Sequence, residues 1–121
     1  MREKALQVEI LTCEGCPHAA LTYQRVREAL GADGLNAEIN QILVATAQAA
    51  IDLRFIGSPT VRINGEDVEP ASQARTDYGL MCRMYFEGES CAGLPSETLL
   101  QRALRSSQDH PLGQSTSRAL R

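Results

Sequence analysis

The feature that most constrains this chain is a change of hydrophobic period on either side of two closely spaced cysteines. Leu6, Val8 and Ile10 alternate with Gln7 and Glu9, the period of a half-buried strand. Beyond "TCEGCP" the period lengthens. Ala19, Tyr23, Val26 and Leu30 recur at spacings of four, three and four, which sets them on one face of a helix. Arg25, Arg27 and Glu28 then look outward, and Gly31 and Gly34 supply stop signals. Cys13-Glu14-Gly15-Cys16 therefore sits at a strand-to-helix junction, where a C-x-x-C pair points to redox or metal chemistry more than to two ordinary buried thiols.

The rest of the chain continues the alternation of strands and helices. A second strand is expected near residues 36 to 42, in the apolar stretch that runs from Leu35 to Val44. Thr46 is placed to cap a helix over "AQAAIDLRF", with Ala47, Ala50 and Ile51 inward. "GSPT" breaks that pattern and "TVRI" alternates as a strand. Asn64-Gly65 is a two-residue hairpin signal, and "EDVEP" returns as a short partner strand. Residues 70 to 79 read as an irregular insertion. Leu80, Cys82, Met84 and Phe86 alternate as an extra strand would, although a helical turn also fits. Ser96 caps a last helix over 96 to 106, with Leu99, Leu100, Ala103 and Leu104 inward. From Ser107 onward the chain is polar, with Gly, Pro and Ser and no apolar stripe, the composition of a disordered tail. The expected organisation is one domain over 1–106 and a tail over 107–121.

Composition narrows the function classes. A net charge of -3 without a run of Lys or Arg lacks the basic stripe of a nucleic-acid binder. No apolar stretch approaches the roughly eighteen residues of a membrane span. The opening "MREKALQVEILT" alternates and is too short in its apolar part for a signal peptide. A cytoplasmic location is the default expectation, in which thiols stay reduced and a disulfide is catalytic or sensory. The chain offers no phosphate loop, no nucleophile elbow and no paired-carboxylate signal.

Two thiols with two residues between them can exchange a disulfide when one attacks and the other resolves the mixed disulfide. A helix N-terminus favours the thiolate form. Pro17 suits a first helical position, which would make Cys16 the cap and leave Cys13 in the preceding turn. Alternatively the helix starts earlier and Pro17 distorts its first turn. Glu14, a carboxylate between the thiols, opposes their deprotonation. Cys13 is the expected nucleophile, since the preceding turn is the more exposed place, and Cys16 the resolving thiol. Ser58-Pro59, between a helix and a strand, is a candidate cis bond that would present its backbone to the pair.

Strand, C-x-x-C, helix, strand, helix, X-Pro, strand, hairpin, strand and terminal helix resembles the thioredoxin/glutaredoxin superfamily over residues 5 to 69 and 96 to 106. The motifs that carry the resemblance are "LTCEGCPHA", "GSPTVRING" and "YGLMCRMY", which are similar to motifs of small bacterial thioredoxin-like proteins. The resemblance implies an α/β, three-layer, thioredoxin-like fold of order βαβαββα with an insertion before the last helix. It implies that Cys13 attacks and Cys16 resolves, and that no cofactor is needed. It also implies that Ser58, with Pro59 and Thr60 beside it, binds substrate, the backbone of Ser58 pairing with an extended substrate peptide. Pro59 would keep a metal from settling on the pair. The chain departs from typical thioredoxins in having no tryptophan before the first cysteine and a Glu-Gly linker, which points to a narrow protein partner or a small-molecule disulfide. The oligomeric state is left open.

The alternative class is a thiolate metal module for Zn, Cu(I), an Hg-type ion or an iron–sulfur cluster, with Cys13, Cys16, Cys82 and Cys91 as the ligand set. The opening "LTCEGCPHAALTYQRVREAL" also resembles heavy-metal-associated domains, whose order is βαββαβ, an order the helix before "GSPT" does not match. A third class is a non-catalytic adaptor that uses the insertion and residues 80 to 95 to hold a partner. Cys82 and Cys91 fit no zinc-ribbon spacing and read as one buried and one loop thiol, a second disulfide, or two of four metal ligands. His18 reads as a solvent-facing helix histidine that could otherwise tune the thiols, and His110 lies in the tail. Arg75, Asp77, Tyr78 and Arg83 read as a solvated surface cluster, with recognition of an anionic partner as the alternative.

Overall fold

Strand β1 (Leu6–Cys13) has a neighbour on each side, and the rest of the chain is organised around it. The computed structural model describes residues 6–109. β2 (Ala37–Val44) pairs with β1 in parallel, from Leu6 opposite Ala37 to Cys13 opposite Val44. A parallel pair needs a crossover connection, and α1 (Ala19–Ala32) supplies it. On the other side β3 (Thr60–Ile63) runs antiparallel to β1, and β4 (Glu66–Asp67) antiparallel to β3. The sheet order is thus β2-β1-β3-β4. Asn64 (φ 52°) and Gly65 (φ 88°) both take positive φ, as the two central residues of a type I′ hairpin turn must.

The alternation in β1 divides the core into two parts. Val8 and Ile10 join Val61, Ile63, Val26, Leu30, Leu100 and Leu104 on the face covered by α1 and α3 (Glu97–Asp109). Leu11 joins Val44, Ala50 and Phe55 on the face covered by α2 (Ala47–Asp52). The result is a mixed α/β arrangement with a four-stranded mixed sheet and three helices among the described residues.

Local signals set most of the element boundaries. Thr46 Oγ1 accepts from the Ala49 N–H at 3.0 Å and starts α2. Ser96 Oγ accepts from the Leu99 N–H at 3.0 Å and starts α3. Two expectations change. The α2 stretch stops at Asp52, because Arg54 takes a positive φ of 56° and turns the chain so that Phe55 enters the core. Ala47 and Ile51 are left exposed instead of facing inward. The last helix runs to Asp109, so the tail expected from 107 begins inside it, and residues 110–121 lie outside the described residues.

The insertion is more ordered than the sequence suggests. It holds a 3₁₀ turn at Pro70–Ser72 and a hairpin of β5 (Tyr85–Glu87) with β6 (Ser90–Ala92), separate from the main sheet. Its alternation is inverted. Leu80 (45%), Met84 (43%) and Phe86 (63%) are exposed, and Cys82 with them, while Arg83 and Tyr85 (2% each) are buried. Among the described residues, no helix is long and apolar enough to cross a membrane.

Leu100, 1% exposed, belongs to the larger core, which is built from strand and helix residues. Leu100→Ala is expected to lower unfolding free energy by about 2–5 kcal/mol, measured by urea denaturation followed by circular dichroism.

Candidate functional site

The two cysteines occupy consecutive turns and precede the helix. The Cys16 N–H donates to the Cys13 carbonyl at 3.3 Å and closes the first turn. Gly15 in its third position has φ 78°, a conformation that favours glycine. The Ala19 N–H donates to the Cys16 carbonyl at 3.4 Å and closes the second turn, with Pro17 in its second position. Helix α1 starts only at Ala19, with His18 in the cap position and no side-chain cap bond. Both expected placements of Pro17 are therefore corrected: it is neither the first helical residue nor inside the first turn of α1. The Thr22 hydroxyl and N–H both donate to the His18 carbonyl, at 2.7 and 3.0 Å, and pin the helix start there.

Cys13 ends β1 and packs beside Leu11, Val44, Ala50 and Phe55; Cys13 and Cys16 are both half-buried free thiols. The Cys13 N–H donates to Ser58 Oγ at 3.1 Å. The Ser58–Pro59 peptide is cis, as expected. The structure thus brings Cys13, Cys16, Ser58 and Pro59 to one end of the sheet.

Thr60 is different. It is fully buried, its hydroxyl donates to the Gly57 carbonyl at 2.6 Å, and it accepts from Arg83 Nη1 at 3.2 Å. Its side chain holds the turn before β3 and has no face open to a substrate. The backbone of Ser58 is also engaged. Its N–H donates to the Met81 carbonyl at 2.8 Å and its carbonyl accepts from the Arg83 N–H at 3.1 Å, a parallel bridge that seats Cys82 opposite Ser58. The place that the resemblance assigns to a substrate peptide is filled by the chain itself.

Arg83 anchors that segment, and reading it as part of a solvated cluster is corrected. Its Nη1 and Nη2 each reach an Asp67 carboxylate oxygen at 2.7 Å, and Nη2 reaches Glu69 Oε1 at 3.2 Å. The guanidinium lies 4.1 Å from the Tyr85 ring centroid. Burial is the largest single influence and works against the charge on Arg83, but the bonds it donates to Asp67, the charges around it and the bond to Glu69 together outweigh burial and hold its pKa above the ordinary value. Burial likewise works against the Glu69 carboxylate. Bonds from the Phe86 N–H, the Ser72 hydroxyl and Arg83 outweigh that burial and hold its pKa below the ordinary 4.5. Burial raises the Tyr85 phenol well above its usual range, and the neutral hydroxyl donates to the Pro59 carbonyl at 2.5 Å. Gly57, with φ 129°, must be glycine here, since a Cβ would fall 2.8 Å from Arg83 Cβ.

The remaining candidates scatter. Cys91 is exposed on β6 opposite Phe86, and all four cysteines are free thiols. Among the described residues, no three His, Cys, Asp or Glu side chains gather in a way that could hold a metal ion. Cys13, Cys16, Cys82 and Cys91 thus do not form one ligand cage. His18 is half-buried with its ring against Gly93, where a Cβ would fall 2.6 Å from Nε2, so it does not face solvent freely. Arg75 pairs with Asp77 at 2.6 Å on the surface, and His110 lies outside the described residues. No protein-family model matches the chain, and no curated protein matches it either.

The Arg83–Asp67–Glu69 group went unread in the sequence. Its signal was present: Arg83 is the single charge in the apolar run "GLMCRMYF", and a lone charge in such a run calls for a buried partner.

Glu69 has a lowered pKa, so its contribution to stability is present above pH 4.5 and is lost as pH falls from there through its folded value. Glu69→Gln is expected to cost about 1–3 kcal/mol near neutral pH. Urea midpoints of wild type and variant should converge as pH drops below 4.5.

Proposed function

We propose that this chain is a thiol–disulfide oxidoreductase of thioredoxin-like fold, with Cys13 as nucleophile and Cys16 as resolving thiol. The observation that carries the reading is the junction of Cys13 with the cis Ser58–Pro59 peptide through the Cys13 N–H to Ser58 Oγ bond. The element order βαβαββ and the terminal α3 support it, because that is the order the resemblance implies.

The chemistry follows from the two turns. The Cys13 thiolate attacks one sulfur of a substrate disulfide, forms a mixed disulfide and releases one thiolate, which takes a proton from solvent. The Cys16 thiolate then attacks Cys13 Sγ. The Cys13–Cys16 disulfide forms, and the second substrate thiolate leaves and is protonated in turn. Two electrons have passed from the pair to the substrate, and an external dithiol returns them by the reverse exchange. The turn closed by the Cys16 N–H and the Cys13 carbonyl keeps the resolving thiol close in sequence and in space, which makes the second step intramolecular. Ser58 holds the backbone of Cys13, so the nucleophile rides on a stiff strand end. A reducing, cytoplasmic setting suits this direction of electron flow.

Differential alkylation and mass spectrometry across graded glutathione buffers test the reading. Cys13 and Cys16 are expected to oxidise together at one potential, while Cys82 and Cys91 titrate separately. Cys13→Ser should abolish turnover, and Cys16→Ser should accumulate a mixed disulfide at Cys13. Independent titration of Cys13 and Cys16, or normal turnover in Cys13→Ser, would sink the proposal.

A further inference from the structure

We infer that the site takes a low-molecular-weight disulfide and turns away extended polypeptides, because residues 81–83 of the chain itself occupy the peptide-pairing edge of Ser58. The inference rests on the oxidoreductase reading and narrows its substrate class.

The first ground is hydrogen bonding. A substrate strand that paired with Ser58 would need its N–H and its carbonyl. The carbonyl already accepts from the Arg83 N–H at 3.1 Å, and the N–H already donates to the Met81 carbonyl at 2.8 Å. An incoming peptide must first break both bonds.

The second ground is that the occupying segment is anchored from inside. The Arg83 side chain has no exposed surface and holds Asp67 with two bonds of 2.7 Å. The same guanidinium meets Glu69, Thr60 Oγ1 and the Tyr85 ring. Two further bonds clamp the chain just after it: the Tyr85 hydroxyl to the Pro59 carbonyl, and the Phe86 N–H to Glu69 Oε2 at 2.9 Å. Peeling residues 81–83 away would pull on a buried cation and leave two carboxylates without it, which low-dielectric surroundings make unfavourable. This segment is a built wall, and its anchor lies behind the site.

The third ground is what the wall shows to solvent. The residue opposite Ser58 is Cys82, a small side chain, and Glu14 and Gly15 of the linker turn are exposed. A compact disulfide, RS–SR, needs no main-chain pairing to bring a sulfur to Cys13. The exchange then runs as above, each substrate molecule yielding two RSH while the pair becomes Cys13–Cys16. Arg83 is accordingly a specificity-determining residue that acts through the backbone of Ser58.

Steady-state reduction of bis(2-hydroxyethyl) disulfide and of insulin, with dithiothreitol as electron source, tests this on the full chain. The small disulfide is expected to be favoured in kcat/KM by at least about 10-fold, the scale set by two backbone hydrogen bonds that a peptide must first break. Comparable turnover of insulin would overturn the inference and leave the oxidoreductase reading intact. If neither is reduced, the reading falls and the inference falls with it. A second readout does not depend on turnover: amide exchange at Ser58 and Arg83, followed by NMR in Cys13→Ser. Protection unchanged by a saturating insulin B-chain peptide is expected. Loss of protection on adding the peptide would show that residues 81–83 yield to it, and would overturn the inference.

Discussion

The guanidinium of Arg83 decides how a large part of this molecule is arranged. It lies between Asp67, Glu69, Thr60 and the Tyr85 ring, with its side chain closed off from solvent. Burying three charges carries a large desolvation term, and a well-packed apolar set of the same volume is often no less stable. Specificity is the physical reason to place such a group here. In an extended segment a slip of one residue exchanges its two faces. With Arg83 inward, Tyr85 goes inward too, and Leu80, Cys82, Met84 and Phe86 go outward. An apolar arrangement could bury either set; the carboxylates accept only one.

That choice explains where sequence and structure agree and where they part. Signals carried by neighbouring residues were legible: the alternation in β1, the inner face of α1, the Asn64-Gly65 turn, and the caps at Thr46 and Ser96. Each depends on contacts within a few positions. For residues 80–86 the lone charge of Arg83 was the one local mark, and its partners, carboxylates 14 and 16 residues earlier in the chain, were not legible. Apolar alternation alone pointed to the wrong face. The pairing of Ser58 with Cys82 is likewise long-range and leaves no local mark. At the cysteines the residue types were legible and the geometry was not. Gly15 and Pro17 each favour a turn, and two successive turns delay the helix to Ala19.

The candidate site joins one rigid and one turn-borne thiol. Cys13 belongs to a strand paired with Val44 on one side and tied to Ser58 on the other. Cys16 is connected to it by a single turn whose third residue is glycine. The proposed exchange would require one sulfur to meet successive partners, and a strand-held thiol beside a turn-borne one suits that requirement with little rearrangement of the core.

The bridge at Ser58 also bears on how copies of the chain meet. Strand β4 pairs with Arg62 and Ile63, and the Val68 N–H bonds the Val61 carbonyl, so beyond them the approach to β3 is what would stand open. Unpaired N–H and C=O groups along such a sheet margin are a template for another molecule's strand, and short or covered margins are how folded proteins avoid association of that kind. By laying residues 81–83 against Ser58, the chain closes that margin with its own backbone. Protection of that one approach from a foreign strand is therefore built into the same contact that shapes the candidate site.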